Sequence, residues 1–230
     1  MCTQTKLSEN LPVIKSREEI ISAILENKLI VIVRGVKGEA LVNTAKALYA
    51  GGVRVMEITF DATGKTSESE TSDMIAELVR ILPDDMIIGS GTVIDVSKVN
   101  ATRNGGGAFI ISPDTNPEVI RHTRQLGMVS IPGAFTPSEA CIAHNSGADF
   151  VKLFPIGSLG ADYVKAIKAP LSHIKMLAVG GFGLDEIESY KSAGAAGFGV
   201  GSALIKKDLI NAGEFEKLTE LARKFVNAVK

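Results

Sequence analysis

The chain has 230 residues, 45% of them apolar, few aromatic and none Trp, with 25 basic and 26 acidic side chains and a net charge of −1. That length suits one α/β barrel and lets a core form without disulfide or metal staples. The balanced charge excludes the electrostatic footprint of a nucleic-acid binder, and no apolar run reaches transmembrane length.

In chain order, the first expected element is a helix over residues 16–27, opened by the capping box of Ser16 and Glu19. Eight short apolar runs rich in β-branched residues follow: Leu29–Arg34, Val53–Phe60, Met86–Thr92, Ala108–Pro113, Met128–Pro132, Asp149–Phe154, Lys175–Gly180 and Gly197–Gly201. Each gap between them can hold an amphipathic helix. Asn116-Pro117 and Thr136-Pro137 with Glu139 read as helix starts, and Gly51, Gly127, Gly147 and Gly194 as helix stops. Alternating strands and helices imply parallel pairing through right-handed crossovers, and eight such units imply a closed (β/α)8 TIM barrel with an extra N-terminal helix. No linker or low-complexity tract divides the chain, so one domain over residues 1–230 is expected. The polar stretch Asp61–Asp73 reads as a long loop over the C-terminal mouth, either solvated or a substrate lid.

Lys152 carries the sharpest chemical signal. In the run Asp149-Phe-Val-Lys-Leu-Phe-Pro155, strand alternation places Phe150, Lys152 and Phe154 on one face. A lysine against the helix layer would lack a partner, so the barrel axis is the expected side. There, desolvation lowers its pKa and frees an amine able to form an imine with a ketone. Glu57 is likewise mid-strand, on a face shared with Val55 and Thr59. It is either an ion-pair partner or an acid/base positioned to move protons while Lys152 holds the imine.

Gly180-Gly181 and Gly199-Val-Gly201-Ser202 end the seventh and eighth runs, where barrels commonly bind phosphate on a short helix N-terminus, here expected at Ala203–Lys206. Thr92 closes the third run and either positions substrate or caps its own loop. Arg34 closes the first and suits a carboxylate, with an ion pair to Glu57 as the other reading. His122, His144 and His173 stand at unrelated spacings and read as surface residues, and no His/Cys/carboxylate set has metal-ligand spacing. Cys2 and Cys141 form no disulfide framework, and Met1 to Asn10 lacks the apolar core of a secretory signal. A cytoplasmic protein is expected.

Taken together, Val55-Met-Glu57-Ile-Thr59, Gly89-Ser-Gly-Thr92, Ile111-Ser-Pro113, Ile131-Pro-Gly133, Val151-Lys152-Leu-Phe-Pro155, Val179-Gly-Gly181 and Gly199-Val-Gly-Ser202 resemble the 2-keto-3-deoxy-6-phosphogluconate aldolases, also called 4-hydroxy-2-oxoglutarate aldolases. The resemblance runs from about Leu29 to the end. It implies a metal-independent class I aldolase without a cofactor, typically a homotrimer, that cleaves a phosphorylated keto-deoxy sugar acid to pyruvate and an aldehyde. It implies that Lys152 is the Schiff-base lysine and Glu57 the general acid/base. Thr92 would lie beside the pyruvyl moiety, Pro113 would line the pocket, and Gly180, Gly181, Gly201 and Ser202 would contact phosphate.

Two positions depart from the gluconate-type pattern. Asp61 stands where those members carry a carboxylate-binding arginine, and an acid close to the substrate carboxylate would repel it. Val179 replaces their usual threonine; in phosphogalactonate-type relatives an arginine matching Arg34 takes the carboxylate. Two other functions compete: a sugar-phosphate isomerase or epimerase on the same barrel, and a non-catalytic sugar-phosphate binding protein. The buried Lys152 and Glu57 pair argues against the binder.

Overall fold

The computed structural model describes residues 15–230. The readings of Met1 to Asn10 and of Cys2 lie outside the described residues. The N-terminal helix spans Arg17–Asn27, with Ser16 as its N-cap and the Glu19 capping box formed. Nine strands follow: β1 (Leu29–Val33), β2 (Val55–Thr59), β3 (Ile87–Gly91), β4 (Phe109–Ile111), β5 (Val129–Ile131), β6 (Gly133–Ala134), β7 (Val151–Leu153), β8 (Met176–Val179) and β9 (Gly197–Val200). All pair in parallel, in the order β5-β4-β3-β2-β1-β9-β8-β7-β6.

The ninth strand arises from one proline. Pro132, the last residue of the fifth expected run, has no N–H to donate; it stands between β5, which pairs with β4, and a further strand β6 beyond that run, which pairs with β7. Its carbonyl still accepts from the Lys152 N–H at 2.8 Å. The two ends of the hydrogen-bonded order are thus consecutive in the chain, and eight strand positions close into a TIM barrel.

Alternation sorts the side chains into two layers. Ile30, Val55, Ile87, Phe109, Val129, Phe150, Leu177 and Val179 fill the axis, and Ile20 and Ile24 of the N-terminal helix pack beneath them. Val31, Met56, Ile88, Val151, Ala178 and Phe198 face outward, in one cluster with the surrounding helices. The floor is also tied electrostatically. Asp149, 3% exposed, receives Arg17, Arg124 at 3.0 Å and the Ser130 N–H at 2.9 Å. This explains why the N-terminal helix docks against the barrel's lower end.

Two local expectations are corrected. The stretch 61–73 is not one long loop: a helix begins at Glu68, capped by Ser67 with Glu70 completing a capping box. Its first turn is polar because it faces solvent, while Thr71, Ile75 and Leu78 are buried. The helix expected at Ala203–Lys206 is instead a turn, closed by the Leu204 and Ile205 N–H groups on the Gly201 carbonyl, and the helix starts at Lys207.

Ile24 is 1% exposed at the base of the axial core. Ile24→Ala is expected to lower stability by about 2–5 kcal/mol, read as a lower urea midpoint with an unchanged m value.

Candidate active site

Lys152 sits in the middle of β7, between Val151 and Leu153, which both point outward. Its side chain therefore enters the axis, where it is 7% exposed, and its ammonium lies 4.4 Å from the centre of the Phe154 ring. Glu57 occupies the same inward parity in β2 and is 2% exposed. Among the described residues no salt bridge joins the two. Each acts on the other through its charge, with no ion pair between them.

Burial acts on both groups toward neutrality. It holds Lys152 below the ordinary lysine range, with Arg34 adding repulsion and the Glu57 charge opposing. It pushes Glu57 above the ordinary glutamate range, against the pull of Lys152, the Thr59 hydroxyl and Arg34. Such a pair favours an amine with a lone pair to give and a carboxyl that holds its proton more readily than an exposed one.

The other expected residues lie at strand ends on the same face. Arg34 follows β1 at inward parity with Ile30 and Ile32, and its Nη2 donates to the Thr92 hydroxyl at 3.4 Å. It forms no ion pair with Glu57, so among the described residues its guanidinium has no carboxylate partner. Thr92 follows β3 with a φ of 59°, a strained conformation for a β-branched residue. Pro113 is exposed beyond the end of β4.

Gly180 and Gly181 follow β8 with φ of 81° and 86°, conformations that favour glycine, and the Gly180 carbonyl accepts from the Gly157 N–H at 2.9 Å. Gly201 and Ser202 follow the adjacent β9, so the two loops lie side by side. Gly199, by contrast, is inside β9, where a Cβ would come 2.8 Å from the Val179 side chain. It serves strand packing. Three further residues touch the site beyond those that the sequence motifs single out for a role. Thr59 donates to Glu57, Gly91 backs it, and the Phe154 ring lies under the Lys152 ammonium. Each lies two residues from a chosen residue or inside a quoted motif, and strand parity was the signal available to find them.

The family model for KDPG and KHG aldolases matches residues 20–221. The chain belongs to that aldolase family. It is 35% identical over 191 residues to a probable 2-dehydro-3-deoxy-6-phosphogalactonate aldolase of Rhizobium meliloti, covering 83% of this chain and 87% of that one. To the 2-dehydro-3-deoxy-6-phosphogalactonate aldolase of Escherichia coli it is 33% identical, covering 88% and 94%. Among solved structures, the KDPG aldolase of Legionella pneumophila, holding pyruvate as a covalent carbinolamine, superposes with a TM-score of 0.78 at 26% identity, covering 88% of this chain and 96% of that one.

In this aldolase Asp61 does not face the mouth as a free charge. Its carboxylate accepts from the N–H groups of Thr63, Lys65 and Thr66 at 2.9, 2.8 and 3.1 Å, and from the Thr63 hydroxyl at 2.8 Å. Those hydrogen bonds hold its pKa below the ordinary range. The residue folds the short loop after β2, with its carboxylate turned to the N–H groups that follow it. The histidines stand apart from the mouth. His122 contacts Asn100 at 2.8 Å, and His144 and His173 meet edge to face at 5.1 Å beside a cavity of about 400 Å³ under the barrel floor.

The depressed Lys152 pKa has a consequence for the aldolase's stability. Between its folded value and the ordinary 10.5, the unfolded chain binds more protons than the folded one, so stability rises with pH across that window. Thermal midpoints measured from neutral pH upward should show this rise in the wild type and a flatter dependence in Lys152→Met.

Proposed function

We propose that this aldolase is a class I, Schiff-base lyase that reversibly cleaves a 2-keto-3-deoxy-6-phospho sugar acid, or 4-hydroxy-2-oxoglutarate, to pyruvate and an aldehyde such as glyceraldehyde 3-phosphate. The observation that carries the reading is Lys152, buried on the axis with its amine favoured and the Glu57 carboxyl across the mouth. Family membership favours the aldolase over an isomerase or a sugar-phosphate sensor. The carbinolamine in the Legionella relative is the first covalent species such a mechanism requires.

The chemistry follows from what each group can do. The Lys152 amine attacks the C2 ketone, loses water and forms an imine that accepts electrons. Glu57, directly or through a water, takes the C4 hydroxyl proton; the C3–C4 electrons flow into the imine and the aldehyde departs. Glu57 returns a proton to C3 of the enamine, and hydrolysis of the imine releases pyruvate and the free amine. Arg34, with Thr92 beside it, takes the substrate carboxylate, and Pro113 lines the pocket. The loops Gly180-Gly181 and Gly201-Ser202 hold the remote phosphate, whose binding energy positions the reacting carbons.

The same reading includes a homotrimer in the cytoplasm, as the family resemblance implies. Ile94, Phe135 and Ile142 are 47, 43 and 48% exposed and offer apolar surface for subunit contact. Among the described residues no helix is long and apolar enough to cross a membrane.

Borohydride reduction in the presence of pyruvate and a chelator is expected to add one pyruvyl group to the wild type, mapped by mass to Lys152, and none to Lys152→Ala. No adduct on the folded wild type would sink the Schiff-base reading. Arg34→Ala is expected to raise the pyruvate concentration needed for half-maximal trapping by about tenfold or more. An unchanged concentration would assign the carboxylate to another group.

A further inference from the structure

Glu57 is held in a way that makes its two oxygens unequal. Oε1 accepts the Thr59 hydroxyl at 3.0 Å, in a contact buried on both sides. Oε2 is equally buried and has no hydrogen-bond partner among the described residues. Gly91 of β3, paired with Thr59 across the ladder, supplies the back wall: a Cβ there would lie 1.6 Å from Oε1 and 2.0 Å from the carboxyl carbon. The carboxyl therefore rests against bare backbone on one side and is tied by a hydroxyl from its own strand.

A buried carboxylate oxygen without a donor is costly unless a water, a ligand or a reacting group enters to satisfy it. We propose that Thr59 is a positioning residue whose hydroxyl ties Oε1 of Glu57 and leaves Oε2 as the oxygen that takes and returns the substrate proton. The inference rests on the aldolase reading above. Without the tie, the carboxyl rotates about its terminal torsion, which is broad and has no deep wells of its own. Productive alignment of a proton-transferring oxygen is then lost even though substrate binding is intact. The Thr59 hydrogen bond also favours the charged carboxylate, so its loss lets burial push Glu57 further upward.

These two effects separate a positioning role from a structural one. Thr59→Val keeps the shape and removes the hydroxyl; Thr59→Ala removes it without adding a methyl beside the carboxyl; Thr59→Ser restores it. Steady-state cleavage is measured across pH for all three, alongside thermal midpoints. Thr59→Val and Thr59→Ala are expected to lose about tenfold or more in kcat with KM changed by about twofold or less. The acid limb of kcat/KM should move to higher pH, because Glu57 must be deprotonated to accept the C4 hydroxyl proton. Thr59→Ser should recover both. Wild-type kcat and acid limb in Thr59→Val would overturn the proposal, as would a serine variant as impaired as the valine one. Failure of both hydroxyl-free variants to fold would also overturn it, placing the hydroxyl in stability instead. Pyruvate trapping on wild-type Lys152 tests the underlying reading separately. No adduct sinks both, whereas an adduct with kinetically normal Thr59→Val sinks this inference alone.

Discussion

Burying two ionisable groups of opposite sign in the axis of an apolar barrel is the constraint around which the rest of the structure is organised. Removed from water, an ammonium and a carboxylate each favour the neutral form; their mutual field favours the charged one, as do the Thr59 hydroxyl and the Arg34 charge for Glu57. Bringing the two into contact would relieve part of that penalty and produce a structural ion pair, whose net worth is small. The barrel keeps them apart instead, on β2 and β7. Lys152 is left with an aromatic ring and Glu57 with one hydroxyl. Neither group is neutralised by an ion pair with the other.

Holding such an arrangement demands stiffness below it. The lower axis is filled with Val55, Ile87, Phe109, Val129, Phe150 and Leu177, and closed by Ile20 and Ile24 from the N-terminal helix. Asp149, bonded to two arginines and a strand N–H, fastens that helix to the floor three residues before Lys152. Ile20 and Ile24 are 3% and 1% exposed, so the layer beneath Lys152 and Glu57 is apolar. At the mouth the emphasis reverses, and polar groups appear where the strands end: Arg34, Thr92, the Gly180-Gly181 turn and the Gly201-Ser202 turn.

Much of this was legible because a barrel imposes two readable periods, alternation within strands and recurrence between them. Eight apolar runs, the caps at Ser16, Asn116 and Thr136, and the inward parity of Lys152 and Glu57 all follow from patterns a few residues long. What was not legible depended on who answers whom across space. Asp61 read as a charge near the substrate because sequence shows its sign and not its hydrogen bonds; three following N–H groups consume it. Residues 68–73 read as loop because a polar first turn resembles one, although Ser67 and Glu70 spelled a capping box. Pro132 was placed at the end of a strand, whereas its missing N–H makes it the joint at which the ring closes.

Closure also explains why the site cannot be assembled from any one segment. Register pairs Glu57 with Ile32 of β1 and Gly89 of β3, while Lys152 pairs with Gly133 of β6 and Leu177 of β8. The two residues are 95 positions apart in sequence (152 less 57) and belong to different arcs of the ring. Only the ladder running through β1, β9 and β8 on one side, and through β3, β4 and β5 to Pro132 on the other, fixes their spacing. A slip of one residue in either strand would turn its charged group outward into the helix layer and an aliphatic neighbour inward. The outer partners of Glu57 and Lys152, Met56 and Ile58 in one strand and Val151 and Leu153 in the other, are all buried in the helix-facing core. That outer packing opposes the slip, so the helix-facing hydrophobic layer is what holds Lys152 and Glu57 in register on the axis.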